Sequence, residues 1–209
     1  MKNKIFFIIT CIYSITFLSS CETFQSVFAD QYVSLGGKSE ISENKESKLN
    51  VSSIIKISVQ SAVNDGNLIG LRIEPNINNI TGQGRVFIKN NPADAVEQRT
   101  KEYAKSKGLK LSTGNSYDKD LQLKLMYLDY RAKGGGITVG LICNMAIKVT
   151  LYNNHGKPLY VKWYFVSKEF DRYQYHKTEV TTDNLNKTLD EIIRNIFADS
   201  AMITQLKAR

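Results

Sequence analysis

The most regular pattern in the chain is an alternation of apolar and polar residues. Apolar side chains occupy every odd position from 137 to 151, and most even positions are polar or small. A period of two is typical of a strand with one buried face. Similar segments lie on both sides, and a turn is expected at 153–156. The pattern predicts a three-stranded antiparallel meander from about Asp120 to Phe170, with Trp163 on its buried face.

Helical signals flank this meander. Asn91 is a suitable N-cap, a proline follows it, and Gly108 is a suitable C-terminal cap, so a first helix is expected between them. Apolar residues at helical spacing predict a second helix that begins at Thr182 or Asp183. A short terminal helix is expected to start at Asp199.

The remaining elements predict the fold class. Residues 54–63 alternate as a first strand, and short strands are expected at 68–73 and 85–89. The main order is roughly β-α-β-β-β-α. We therefore predict a single α+β domain over residues 51–209, an antiparallel sheet with both helices packed on one face.

The N-terminus has the organisation of an export signal. Lys2 and Lys4 precede an apolar run of about fourteen residues, Ile5–Leu18, which suits a signal peptide and is too short to span a bilayer. The run ends in Leu-Ser-Ser followed by Cys21, which resembles the bacterial lipobox. Residues 1–20 are accordingly predicted to be a lipoprotein signal peptide. A plain secretory signal with a chance cysteine is the alternative.

The lipobox resemblance implies that Cys21 is the lipidation site. Its sulfur would receive a diacylglyceryl group and its new amino group an acyl chain such as palmitate. Two or more chains anchor a protein stably without a membrane-spanning helix. Glu22 follows the cysteine, and the absence of aspartate there implies the outer membrane, with the domain in the periplasm. Residues 21–50 are polar and are predicted to be a flexible linker.

The net charge and the number of cysteines limit the binding sites and disulfides that can be expected. The formal net charge is +8, or about +6 without Lys2 and Lys4, and the lysines are dispersed. A solvated basic surface is favoured over a dedicated polyanion site. Removal of the signal and lipidation leave one free cysteine, Cys143, so no intrachain disulfide is expected. Its apolar surroundings predict a buried, inert thiol.

Residues for catalysis or cofactor binding are not recognised in the sequence. The glycines at 134–136 lack the lysine and helix of a phosphate loop, and His155 and His176 lack metal-ligand spacing. Asp190 and the adjacent Glu191 are expected to face solvent. No catalytic residue, metal or cofactor is therefore predicted.

One segment is a candidate for partner binding. The return strand interleaves aromatic and basic residues, a combination that suits proteins, glycans or single-stranded nucleic acid. The export signal excludes nucleic acid in practice. An ordinary half-exposed strand is the alternative. If Trp163 is buried, the opposite face carries the candidate residues Tyr160, Lys162, Tyr164 and Lys168.

The chain resembles the YajG-type lipoproteins of Gram-negative bacteria. The resemblance rests on the lipobox and on "SIIKISVQSAVNDG", "DLQLKLMYLDYRAKGG", "NMAIKVTLYNNHGKPLYVKWY" and "LNKTLDEIIRNIFADSAMITQLKAR". It implies the lipid site Cys21 and no catalytic residue, and the linker is longer than is usual in that family.

These observations favour a non-catalytic, lipid-anchored envelope protein. It would be held to the membrane by the lipid on Cys21 and would bind or help assemble another envelope component, either a protein or a glycan. A lipid-anchored periplasmic enzyme and a carrier of a hydrophobic ligand are the alternatives. The enzyme would need convergent polar groups in a pocket, and the carrier would need a large apolar cavity.

Overall fold

A computed structural model describes residues 30–36, 48–64, 66–71, 84–133, 140–170 and 178–208. The strands of these segments form a five-stranded main sheet and a three-stranded small sheet. In chain order the elements are β1 (Gln31–Val33), β2 (Ile54–Ser61), β3 (Leu68–Leu71), β4 (Arg85–Ile88), α1 (Pro92–Ser106), β5 (Lys110–Leu111), β6 (Lys119–Lys133), β7 (Gly140–Asn153), β8 (Pro158–Phe170), α2 (Thr178–Ala198) and α3 (Ser200–Lys207).

The main sheet has the strand order β5-β2-β6-β7-β8. Its β6–β7–β8 portion is the predicted antiparallel meander, and the α+β class is confirmed. The sheet is mixed, however, because β2 runs parallel to β6, with Ile57 opposite Leu121. The chain reaches β6 from β2 through a long crossover that includes α1. A crossover of this kind is what parallel pairing requires.

The helices and the apolar face of the main sheet enclose the core. In β7 the alternating residues from Leu141 to Leu151 are at most 1% exposed. Against this face pack α1 and α2, which also contact each other. The predicted caps of α1 are confirmed, because Asn91 Oδ1 accepts a hydrogen bond from Ala93 N–H at 3.0 Å and Gly108 has a φ of +80°.

The second helix, α2, starts earlier than predicted. It begins at Thr178 rather than at Thr182 or Asp183. Thr181 is completely buried, and its hydroxyl donates to Gln31 Oε1 at 2.7 Å. This contact with β1 is tertiary, so a local capping signal could not indicate it. Asp199 caps α3, as expected.

A buried ion pair joins the two long helices. Arg99 on α1 and Asp190 on α2 are 3.0 Å apart, with side chains 1% and 3% exposed. The expectation that Asp190 faces solvent is therefore wrong. Helix periodicity places this carboxylate on the apolar side of α2, and the guanidinium of Arg99 makes its burial tolerable.

The small sheet has the order β1-β4-β3. Its first strand, β1, lies inside the segment predicted as linker, yet Val33 is 0% and Leu35 is 2% exposed. This part of the segment is therefore folded against the core. The other residues of the predicted linker, apart from 30–36 and 48–50, lie outside the described residues. A three-residue strand has too little pattern to be recognised from sequence.

Two sheets meet closely at Gly70. A Cβ atom at this β3 position would lie 1.5 Å from the carbonyl oxygen of Tyr130 in β6. Only glycine allows this approach between backbones.

The structure also bears on predictions made for single residues and short segments. Cys143 is buried and free, as predicted. The glycines at 134–136 and His176 lie outside the described residues. Among the helices of the described segments, none is long and apolar enough to cross a membrane.

Candidate functional site

The register of β8 reverses the predicted orientation of its two faces. Tyr164 pairs with Ile147, a fully buried residue of β7. Directly opposite residues of adjacent strands point to the same side of a sheet. Tyr164 therefore belongs to the helix-covered face and is 7% exposed, whereas its neighbour Trp163 is 56% exposed on the other face. The prediction that Trp163 is buried is wrong.

The connection between β7 and β8 causes this reversal. The pairing is irregular between Leu151 and Tyr152, so that Leu151 lies opposite Tyr160. A shift of one residue in an antiparallel pair exchanges the two faces of a strand. Both faces of β8 carry apolar side chains, and its alternation alone could not decide which face is buried.

Three of the four candidate residues converge on Asp199, the N-cap of α3. The hydroxyls of Tyr160 and Tyr164 lie 2.9 and 3.0 Å from Asp199 Oδ2, and Lys162 Nζ lies 2.6 Å from the same oxygen. The two tyrosine hydroxyls are 2.8 Å apart. The second oxygen, Oδ1, accepts from the N–H groups of Ala201 and Met202.

The electrostatics of this cluster follow from its single carboxylate. The hydrogen bond from Lys162 lowers the pKa of Asp199, and the tyrosine hydroxyls lower it further. Burial raises the pKa of Tyr164, and its hydrogen bond with Tyr160 adds to the effect. Asp199 is therefore ionised and both tyrosines are neutral, so their two hydroxyl protons are shared among the three short contacts of the cluster.

The fourth candidate residue also contacts the helices. Lys168 Nζ lies 2.7 Å from Glu191 Oε2 on α2. The strand β8 is thus connected to α2 and α3 through Tyr160, Lys162, Tyr164 and Lys168, and of these four Lys162 stays exposed. The expectation that they emerge on the side of the sheet away from the helices is wrong.

The open side of the meander presents a different set of side chains. Val161, Trp163 and Phe165 are 53%, 56% and 62% exposed in a row along β8. Ala146 of β7 separates Phe165 from Tyr127 of β6, which is 45% exposed. We call these four exposed residues the outer aromatic patch: Tyr127, Val161, Trp163 and Phe165.

A β-bulge brings Tyr127 to this side. Alternation from Leu121 to Leu125 would bury Tyr127, but the pairing with β7 shifts between Leu125 and Tyr127. The extra residue turns Tyr127 outward. No local signal marks this bulge in the sequence.

Basic residues and an open strand edge adjoin the outer aromatic patch. Lys124 of β6 and Lys148 of β7 lie in the same cross-strand row as Trp163. Three of the four patch residues lie on β8, which is the terminal strand of the main sheet among the described residues. An edge strand presents backbone N–H and C=O groups that can pair with another chain.

A polar cleft of about 390 Å³ lies at one end of the main sheet. Two of its lining side chains already make structural hydrogen bonds. Asp118 Oδ2 accepts from Ile54 N–H at 2.7 Å, and Asn153 Oδ1 accepts from His155 and Lys157 N–H. Over the residues that the structure describes, no group of three or more His, Cys, Asp or Glu side chains could hold a metal ion.

One solved structure shares the overall fold of this chain. A crystal structure of a Xanthomonas campestris protein covers 83% of this chain and 97% of its own, with a TM-score of 0.60 and 8% identity. A minor lipoprotein of Acinetobacter baumannii covers 74% and 96%, with 12% identity and a TM-score of 0.43. Rare lipoprotein B of Shewanella oneidensis covers 68% and 94%, with 8% identity and a TM-score of 0.34.

Comparison of the sequence with models of protein families identifies the family, which the structural comparison does not. Residues 71–207, well over half of the chain, match the model of a family described as uncharacterized lipoprotein. The chain belongs to this bacterial lipoprotein family. No curated protein matches the sequence.

Proposed function

We propose that this lipoprotein is a non-catalytic, YajG-type protein of the outer membrane, anchored by lipid on Cys21 with its domain in the periplasm. Its outer aromatic patch binds an extended segment of another envelope protein. The exposure of Val161, Trp163 and Phe165 in one row carries this proposal.

The patch has the composition of a protein-binding surface. Aromatic residues dominate the energetics of protein interfaces. Large apolar side chains are common singly on surfaces, but a contiguous group is a marker of interaction. Trp163 lies directly between Val161 and Phe165 on the same face, so the group is contiguous by strand geometry.

The neighbouring edge favours an extended protein segment as the occupant. A strand added beside β8 would form main-chain hydrogen bonds and would place alternate side chains against the patch. Lys124 and Lys148 in the row of Trp163 favour a segment that carries acidic as well as apolar residues.

The structural contacts of several acidic and basic side chains support a non-catalytic role. Asp199 uses both oxygens to hold β8 and α3, and Arg99 and Asp190 lie buried against each other. Asp118, in the polar cleft, caps a backbone N–H. These groups have structural partners, whereas a catalytic site needs groups that converge on a substrate position.

A cysteine variant tests the anchor. Cys21→Ser is expected to remain uncleaved or to leave the outer-membrane fraction, because serine has no thiol to receive the lipid. Fractionation and intact-mass analysis provide the measurement. A variant with the mature, lipidated mass in outer membranes would refute this assignment.

Site-specific photocrosslinking in intact cells tests the binding surface. A photoreactive residue at Phe165 should form a discrete, protease-sensitive adduct that the same residue at exposed Lys105 on α1 does not form. Trp163→Asp should abolish the adduct, and Lys124→Glu with Lys148→Glu should weaken it.

Two outcomes of this experiment would contradict the proposal. Equal adducts at both positions would mean that crosslinking reflects only proximity in the envelope. A protease-resistant adduct that glycan-degrading enzymes remove would identify a glycan as the occupant.

A further inference from the structure

A second exposed apolar row crosses the small sheet. Tyr32 of β1 lies opposite Phe87 of β4, and Leu68 of β3 lies opposite the same residue. Tyr32 and Leu68 are 57% and 52% exposed. The rings of Tyr32 and Phe87 stack with centroids 5.2 Å apart and planes inclined by 16°. We call Tyr32, Phe87 and Leu68 the small-sheet row.

The position of this row along the chain links it to the membrane. Nine residues, 22–30, separate Cys21 from the first residue of β1. At most about 3.3–3.6 Å per residue, they reach roughly 30 Å even when fully extended. Since Val33 and Leu35 are buried, β1 cannot detach from the domain without loss of core packing. A lipid on Cys21 would therefore keep the small-sheet row close to the bilayer.

We propose that the small-sheet row rests on the phospholipid surface in which Cys21 is anchored. This inference depends on the lipid anchor proposed above, but not on the outer aromatic patch. Tyrosine and tryptophan rings are enriched at the membrane–water interface, where they lie at the level of the headgroups. A second membrane contact would add to the acyl chains and would orient the domain.

The local charges indicate how the row binds. Arg85 lies over the ring of Phe87 at 5.4 Å. Its guanidinium donates to both oxygens of Asp30, from Nε at 3.1 Å and Nη2 at 2.7 Å. The pair is neutral as a unit, so apolar contact rather than attraction to anionic lipid should dominate. Binding of the row should therefore depend little on salt, unlike binding by a basic surface.

The single tryptophan of the chain provides a sharp test. Trp163 lies in the outer aromatic patch, on another sheet from the row. The mature, lipidated protein is incorporated in phosphatidylethanolamine–phosphatidylglycerol vesicles that contain brominated lipid. Wild type reports on Trp163, and Tyr32→Trp with Trp163→Phe reports on position 32. Brominated acyl chains quench only tryptophans at the membrane.

We expect quenching and a blue-shifted emission at position 32 and neither at Trp163, with no change in the effect at high salt. Leu68→Glu should reduce the quenching at position 32, whereas Lys105→Glu, a charge change on α1, should not. An unquenched tryptophan at position 32 in protein that mass analysis shows to be acylated would overturn this inference. Protein without acyl chains would refute the proposed anchor instead. Quenching of Trp163 would mean that the other sheet faces the membrane, and would overturn the inference as well.

Discussion

Replacing Asp190 by alanine should destabilise the protein strongly. The carboxylate is 3% exposed and lies 3.0 Å from Arg99, itself 1% exposed. Its removal leaves a guanidinium in the core without its counter-charge. Breaking a buried pair in this way costs about 3–5 kcal/mol, because the remaining ion keeps its desolvation penalty and loses its partner.

The size of the expected effect is measurable by ordinary denaturation. For a protein of about 150–250 residues, each 1 kcal/mol lowers the melting temperature by roughly 2–4 °C. Asp190→Ala should therefore melt roughly 6–20 °C below wild type. Urea denaturation should show a lower midpoint with an unchanged m-value, since the surface exposed on unfolding is nearly the same.

Two variants separate this explanation from a general effect of mutating a helix. Arg99→Met with Asp190→Leu removes both charges and should recover most of the stability or exceed it, because neither ion then requires desolvation. Glu97→Ala breaks a pair with Lys101 on the surface of α1, whose side chains are 32% and 42% exposed. It should cost less than about 1 kcal/mol. A loss of under about 1 kcal/mol for Asp190→Ala would refute the reasoning.

Three further predictions follow from individual contacts. Gly70→Ala should lower the melting temperature, because the new Cβ meets the Tyr130 carbonyl, and about 1–3 kcal/mol is typical of overpacking. The control Gly114→Ala adds a methyl group in open space and should lower the melting temperature much less. Equal melting temperatures for the two variants would contradict this prediction. Asp199→Asn should be less stable than wild type at neutral pH. Because the folded-state pKa of Asp199 is lowered, this difference should shrink as pH falls below about 4, its ordinary range; urea titrations at several pH values would show a constant difference if the carboxylate does not contribute. Trp163→Ala should change the free energy of unfolding by no more than about 0.5 kcal/mol, as at other exposed positions. A loss of several kcal/mol would mean that the outer aromatic patch is covered.

Much of the fold follows from local sequence patterns. The middle strand β7 has a continuous apolar row on one face and mostly polar or small residues on the other, so alternation predicted both its existence and its buried side. The caps Asn91, Gly108 and Asp199 act through backbone groups within a few residues of themselves, and each is where the sequence indicates. Such signals are reliable because they do not depend on which other element the segment meets.

The candidate site depended on contacts that no local pattern contains. The sequence indicated that the return strand combines aromatic and basic residues, but β8 has apolar side chains on both faces. The pairing of Tyr160 with Leu151 selected the buried face, and a bulge in β6 turned Tyr127 outward. A one-residue shift in the pairing of two strands turns every side chain of a strand to the opposite face. This shift depends on contacts between the two strands and not on the sequence of either strand alone.

The same reason applies to β1 and to Asp190. A three-residue strand and a single acidic residue on a helix are compatible with solvent, and only their partners make them part of the core. Val33 is buried because β4 and α2 lie beside β1, and Asp190 is buried because Arg99 lies opposite it. The sequence by itself determined the long strands and helices and the caps of α1 and α3, and it predicts the lipid site. The tertiary structure decided which faces are open, because exposure is a property of neighbours that lie far apart in the chain.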